Sequence, residues 1–302
     1  MSRALPVAGH ALSIDLEEWY HPELVRGRLG ATPLESRVVA ATERLLELLA
    51  SHGASATFFC VGEVAERHPE LVHRIDAEGH EIAFHGWRHQ RLDELDPPRF
   101  AAELERFDAL LTSVLAPGRR AVGYRAPTFS LARSTAWALA ALARHGYRYD
   151  SSVFPVRGPL YGVPGAPLGA YRIALDEPAR VDPGSPLVEI PVSVWSRAGA
   201  RLPAGGGAYL RLLPRALFAR LLGGVALRRP IVLYLHPWET DAGTPHLPLP
   251  RLARAATYRG IENTLDRLDA LLGRYRFGRV DELVERWRGA PGGEPCGPSK
   301  PS

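Results

Sequence analysis

Ile82-Ala83-Phe84-His85-Gly86-Trp87-Arg88-His89 is a short apolar run that ends in two histidines. An apolar run followed at once by glycine and polar residues reads as a buried strand that delivers a loop at its carboxyl end. His85 and His89 stand four residues apart, close to one helical turn, so both rings are expected on one side of a helical turn. Two neutral imidazoles placed this way can clamp one metal ion. The chain holds eleven histidines, and among so many this spacing also arises by chance. What decides the fold is how often the same layout returns: an apolar strand with a chemically active side chain at its end.

Ala11-Leu12-Ser13-Ile14 leads into Asp15-Leu16-Glu17-Glu18-Trp19. Residues two apart in a strand share a face, so Asp15 and Glu17 point into one place. Two carboxylates that close are costly unless a cation or an arginine lies between them. Val122-Gly123-Tyr124 leads into Arg125-Ala126-Pro127-Thr128-Phe129, and Tyr147 to Asp150 into Ser151-Ser152. Ile231-Val232-Leu233-Tyr234-Leu235 ends in His236-Pro237-Trp238-Glu239. Ser55 to Cys60 is one more strand.

Helices separate these strands. Pro33 to Gly53 carries an apolar stripe at Val38, Ala41, Leu45, Leu48 and Leu49, with Gly53 as its stop. Gly62 to Gly79 is helical with a break at Pro69. Phe100 to Leu115 is helical, as is Thr135 to His145, closed by Gly146. Tyr258, Ile261, Leu265, Leu268 and Leu272 mark one long amphipathic helix. Phe277 to Val280 and Asp281 to Arg288 form a last strand and helix. Prolines and glycines crowd Phe154 to Arg201, around a strand-like Leu187 to Val192. Gly205-Gly206-Gly207 lacks the spacing and following helix of a phosphate loop and reads as a rim loop close to substrate.

Alternating strands and helices put the chain in the α/β class, with a mainly parallel sheet or barrel. Asp15, His85, Arg125, Asp150 and His236 all fall at carboxyl ends of strands, the end that carries the chemistry in α/β barrels. A single barrel domain over residues 11–290, including a C-terminal extension, accounts for the pattern; residues 291–302 have the composition of a disordered tail. Hydrophobic residues make up 46% of the chain, enough for a large core. Met1 to Gly9 lacks the basic start and apolar stretch of a secretory signal, and no run is long enough to span a membrane. Cys60 and Cys296 are the only cysteines, which argues against a disulfide framework and for a reducing compartment. The net charge is +4, and from Arg201 to Ala290 fifteen arginines face eight carboxylates. These arginines are scattered and no nucleic-acid motif accompanies them, so nucleic acid is not an expected partner; weak attraction to a membrane surface is.

The ordered set resembles the polysaccharide deacetylase family, carbohydrate esterase family 4, from Ala11 to Val284. Ser13-Ile14-Asp15-Leu16-Glu17 is similar to its acidic motif and His85 to His89 to its metal motif. Arg125-Ala126-Pro127-Thr128, Asp150-Ser151-Ser152 and Leu235-His236-Pro237-Trp238 are similar to the three that follow. Leu16 stands where the commonest form has a second aspartate. A subgroup with alternating acids is similar here, and also in Gly205-Gly206-Gly207 and His236-Pro237-Trp238-Glu239; it is associated with exopolysaccharide loci and exosortase systems.

The resemblance implies a distorted (β/α) barrel that removes N-acetyl groups from the amino sugars of a bacterial polysaccharide or its precursor. It implies a divalent metal, zinc foremost, held by His85, His89 and Glu17, with Glu18 as the alternative acid. Asp15 would be the general base, oriented by Arg125. His236 would protonate the leaving nitrogen, with Asp150 raising its pKa. The backbone N–H of Thr128 would hold the oxyanion. Aromatic faces suit sugar rings, so Trp87 and Trp238, with His21, fit a substrate site and equally the core, and Tyr209, after the glycine loop, is expected at substrate. From the residues alone, Arg125 equally suits a structural salt bridge, Asp150 a turn cap at Ser151-Ser152, and His236 a core histidine. Two other activities fit the same motifs: a metal amidohydrolase acting on a ureide or purine-derived ring, and a sugar-binding barrel without catalysis. The expected location is the cytoplasm, at the inner face of the membrane.

Overall fold

The computed structural model describes residues 9–158 and 160–290. Its strands are β1 (His10–Leu16), β2 (Thr57–Cys60), β3 (Glu81–Phe84), β4 (Gly123–Tyr124), β5 (Tyr149–Asp150), β6 (Tyr171–Ala174), β7 (Glu177–Val181), β8 (Val188–Glu189), β9 (Val194–Arg197), β10 (Ala200–Pro203), β11 (Val232–Leu235) and β12 (Phe277–Gly278). The main sheet runs β11-β1-β2-β3-β4-β5-β8 with every neighbour parallel, then β6 and β7 antiparallel. β12 pairs with the start of β1. The outer strands of the parallel set, β8 and β11, are bridged by irregular backbone. Ser193 N–H donates to the Val232 carbonyl (3.1 Å) and Tyr234 N–H to the Gly205 carbonyl (2.7 Å). The fold is α/β, a parallel sheet curled toward a barrel whose regular ladder stops at this seam.

Strand parity places the site. All seven residues of β1 are buried, as a strand covered on both faces requires. Leu12, Ile14 and Leu16 pack outward in the large core shared with the helices. Ala11 packs inward with Phe59, Ala83, Tyr149, Val188 and Val232. A period of two then turns Ser13 and Asp15 inward with Ala11, and His85 inward with Ala83. On the outside, Val38–Ser51 buries Val38, Ala41, Leu45 and Leu49 at helical spacing. Pro97–Val114 starts at Asp96, whose carboxylate accepts the Arg99 N–H. Val280–Gly289 closes the amino ends of the strands: Val280 N–H donates to Thr57 Oγ1 (2.8 Å) and Asp281 N–H to the Glu81 carboxylate (3.1 Å).

Several expected elements differ. The helix expected from Pro33 starts at Val38, and the two helices around Pro69 are Gly62–Arg67 and Pro69–Ala77. The long helix through Tyr258 and Leu272 is broken: Arg251–Tyr258 and Thr264–Leu272 flank a turn at Gly260, which has φ 79°. Two antiparallel hairpins, β6–β7 and β9–β10, fill the Pro/Gly-rich stretch. Gly205-Gly206-Gly207 is no rim loop. It is buried along the seam, and Gly207–Leu212 continues it as a short helix. No helix among the described residues is long and apolar enough to cross a membrane. Cys60 is buried and unpaired at the end of β2, and burial pushes its thiol up. Cys296 and the tail, 291–302, lie outside the described residues, as does most of the segment Met1 to Gly9.

Candidate active site

Asp15, Glu17, His85, His89, Arg125 and His236 converge at the carboxyl ends of β1, β3, β4 and β11. Ligand atoms of Glu17, His85 and His89 lie within 4.8 Å of one another, and all three residues are buried. The expected helical turn is absent. His85–His89 is a loop in which Gly86 (φ 74°) and His89 (φ 53°) are left-handed, and this double bend folds the second ring back toward the first. The imidazole centroids are 5.1 Å apart.

The donor set fits a metal. His85 Nδ1 lies 2.7 Å from the Arg125 carbonyl oxygen, which can only accept, so Nδ1 carries the proton and Nε2 keeps its lone pair. Burial lowers the His85 pKa to about 4, so the ring is neutral as a ligand must be. Burial alone would raise the Glu17 carboxyl, but the charges of His89 and His236 hold it well below the usual carboxylate range. Glu17 Oε2 lies 2.7 Å from His89 Nε2 without hydrogen-bond geometry, so this buried oxygen has no donor among the described residues. A cation would satisfy it. Trp238 Nε1–H donates to the other oxygen, Oε1 (3.0 Å). Glu18 points elsewhere: its carboxylate accepts from the Ser36 hydroxyl and the Arg37 N–H. Of the two candidate acids, Glu17 joins the cluster.

Arg125 is completely buried and fully engaged. It donates to Asp15 Oδ1 (2.6 Å), Ser13 Oγ (2.8 Å), the Ser151 carbonyl (3.1 Å) and Ser151 Oγ (2.9 Å), and lies 4.1 Å over the Phe59 ring. The same set of contacts buries the guanidinium as a salt bridge and fixes the Asp15 carboxylate. Asp15 Oδ2 is left facing His85 Nε2 (3.8 Å) and His236 Nε2 (3.9 Å).

His236 Nδ1 lies 2.9 Å from Glu239 Oε2, and its ring stacks on Trp238 at 5.1 Å. Burial would lower its pKa, but Glu17 and the hydrogen bond to Glu239 carry it up to about 9. Glu239 in turn accepts from Arg211 Nε (2.8 Å), and against burial the Arg211 charge brings its carboxyl down to about 2. Arg211 is anchored by the carbonyls of Arg259 and Ala256.

Asp150 does not tune His236. Tyr149 and Val188 face inward, so their neighbours Asp150 and Glu189 face outward, away from the barrel interior. Asp150 Oδ1 accepts from Ser152 Oγ, the turn cap allowed by the sequence. Asp150 and Glu189 form a buried carboxyl pair in which burial raises both. Trp87 is no substrate wall either: it is 3% exposed, packed on Gly62 and beneath the Arg106 guanidinium at 3.6 Å. Trp238 supports Glu17 and His236 from behind. Tyr209 joins an aromatic cluster with Phe129, Phe154, Tyr161 and Tyr234, which reaches His236 through Tyr234. His21 stacks on His89 at 5.8 Å, and burial lowers its pKa to about 3. Thr128 is left-handed (φ 55°) in a turn that packs Pro127 against Gly86. The residues missed in sequence are Glu239 and Arg211. A carboxylate three residues after His236 was a readable signal; Arg211 had none.

Residues 33–149 match the polysaccharide deacetylase family, and residues 151–285 match a domain of unknown function, DUF3473. A chitin deacetylase from Pestalotiopsis sp is 38% identical over 111 residues, which are 36% of this chain and 36% of that protein. The chain thus spans about a third of the curated relatives it matches. A Mycobacterium smegmatis protein provisionally assigned as a polysaccharide deacetylase superposes with a TM-score of 0.58 at 21% identity, covering 100% of this chain and 98% of that one. Puue allantoinase superposes with a TM-score of 0.56 at 19% identity, covering 93% and 90%. At these identities the two structures are likenesses of fold. The chain therefore carries a polysaccharide deacetylase domain over residues 33–149, continued by a DUF3473 segment over residues 151–285.

Proposed function

We propose that this protein is a metal-dependent hydrolase that removes N-acetyl groups from the amino sugars of a bacterial polysaccharide, an exopolysaccharide or its precursor. One observation carries the reading: a buried Glu17–His85–His89 cluster has Asp15, held by Arg125, on one side and His236, held by Glu239, on the other. Likeness to a chitin deacetylase supports the substrate class. A cytoplasmic location at the inner membrane face belongs to the same reading.

An amide needs an activated water, a stabilised oxyanion and a proton for its amine. Glu17, His85 and His89 would hold a divalent ion, zinc by its nitrogen and oxygen donors, which supplies Lewis acidity toward the carbonyl. Arg125 occupies Asp15 Oδ1, so Oδ2 is the oxygen that takes the proton from water as its oxygen bonds to the acetyl carbon. The Thr128 N–H, in its left-handed turn, holds the developing oxyanion. As the C–N bond breaks, His236 Nε2–H gives its proton to nitrogen, leaving acetate and a free amine. Nδ1–H stays on the Glu239 carboxylate and fixes the ring. The acid and base atoms are 3.9 Å apart, so one small volume serves both proton transfers.

The test joins elemental analysis with acetate release from N-acetylated oligosaccharides, using allantoin as a second substrate. Asp15→Asn should keep the metal and lose turnover by roughly 10²-fold or more. Glu17→Gln, His85→Ala and His89→Ala should lose metal. Turnover of allantoin without acetate release would replace the reading with a ureide amidohydrolase. Sugar binding with neither metal nor turnover would make it a binding barrel.

A further inference from the structure

The face where the chain enters β11, beside the residues that follow β8, takes no part in the proposed chemistry. A cavity of about 370 Å³ opens there between the seam and the closing helix Val280–Gly289. Its walls are apolar, among them Leu168, Ile190, Pro191, Leu283 and Trp287, and among the described residues its only charged side chains are Arg228, Arg229 and Arg286. Arg228 also lines a second, adjoining cavity of about 500 Å³ together with Arg197, Arg220 and Leu227. The two cavities have Arg228 in common, and together five arginines and no carboxylate line them among the described residues. None of the five forms an ion pair among the described residues; what sets this face apart is that they line two adjoining cavities. Burial and the neighbouring charges of Arg228 and Arg201 lower the Arg229 pKa, as expected of cations crowded without a counter-ion. Among these arginines stands Leu227, 89% exposed, with Leu217 43% exposed on the helix before it.

Five unpaired guanidinium groups call for an anionic partner. The bare leucine and the apolar cavity call for one that also offers hydrocarbon. Nucleic acid meets the first requirement and not the second. We propose that this face docks on a bilayer surface containing anionic phospholipid, with the arginines on headgroup phosphates and Leu227 at the acyl boundary. The Leu227–Pro230 loop enters β11 and His236 leaves it, so the docked protein would turn its site away from the bilayer. A glycan reaching out from the membrane could then enter the site. This inference does not depend on the deacetylase reading, because its test measures binding alone.

The experiment is co-sedimentation of the full-length protein with phosphatidylcholine vesicles, with and without phosphatidylglycerol, at low and high salt. Wild type should bind the anionic vesicles at low salt, release them at high salt, and ignore pure phosphatidylcholine. Removing one arginine should weaken partitioning roughly fivefold, and Arg228→Gln with Arg286→Gln roughly 25-fold. Arg197→Gln with Arg220→Gln is a second pair at exposed positions and should act similarly. Leu227→Ser should weaken binding severalfold and leave its salt dependence unchanged. Equal binding to both vesicle types, no binding to either, or full binding by both double variants would overturn the proposal. So would heparin or RNA binding that both double variants lose while vesicles are ignored, or a dimer that Leu227→Ser dissolves.

Discussion

Glu17 and Glu239, three residues along, together hold the charge on His236, and Glu239 is held ionised by Arg211. In the proposed mechanism His236 is the acid and must be protonated when it acts, so the basic limb of kcat/KM should belong to it. Glu239→Gln keeps the shape and removes the charge. The limb should move to lower pH, and turnover at pH 8 should fall roughly tenfold or more, with the metal content unchanged. Asp150→Asn should leave the limb where it is. A limb that moves in Asp150→Asn and stays in Glu239→Gln would return the tuning role to Asp150. Most of the site was legible at this scale. Asp15 and Glu17 share a face because strands alternate, and His236 follows an unmistakable apolar run. For Asp150 the sequence left a tuning role and a turn cap open, because a strand-end position does not show parity; Tyr149 takes the inward place. Trp87 was open in sequence, because an aromatic beside a metal ligand looks the same whether it faces sugar or core; the structure puts it in the core.

Glycine 207 and Glu81 show how elements hold the site from a distance. Gly207 begins the helix Gly207–Leu212, and a methyl group there would overlap the Glu239 carboxylate. Gly207→Ala should therefore push Glu239 off His236 and lower kcat as Glu239→Gln does, whereas alanine at exposed Gly289, where nothing crowds the added carbon, should spare kcat. Wild-type kcat in Gly207→Ala would show that the helix can shift to make room. Glu81 lies at the other end of the strands, accepting from Thr57, Tyr149 and Asp281 N–H. Burial, with Asp281 adding to it, raises its pKa from 4.5 to about 8. Between those values the folded state holds a proton that the unfolded chain releases. The stability this contributes is full below about pH 4.5 and is lost as pH rises through about 8, at up to about 1.4 kcal/mol per pH unit. Glu81→Gln should flatten that decline in urea midpoints measured across the range, and an unchanged slope would assign the decline to other groups. Elements with a strong period were legible, such as the Val38–Ser51 stripe. The break at Gly260 was hidden because apolar spacing continues across it. The hairpins of the Pro/Gly-rich stretch were hidden because edge strands there are short and half-exposed, with little alternation to read.

The boundary between the two family segments cuts the barrel at β5, whose last residue is Asp150. His85, His89 and Arg125 lie in the first segment; His236, Glu239 and Arg211 lie in the second. Asp15 and Glu17 precede both, on or just after β1. That strand pairs with β2 from the first segment and with β11 and β12 from the second. Leu12, Ile14 and Leu16 are fully buried, and side chains like these contribute roughly 2 kcal/mol each when buried. Their sum is a large fraction of the about 5–15 kcal/mol that ordinarily separates a folded domain from its unfolded chain. The candidate site is thus divided over three stretches of chain, and β1 joins the strands of the two segments. Expressed separately, residues 33–149 and residues 151–285 should each lack a cooperative urea transition followed by circular dichroism, while the full chain shows one. Deleting residues 1–16 should abolish that transition although both segments remain whole. If either segment alone unfolds cooperatively, it is an independent domain and the barrel is an assembly of two. If neither does, the DUF3473 segment is the second half of the catalytic barrel, and β1 is the strand that joins the halves.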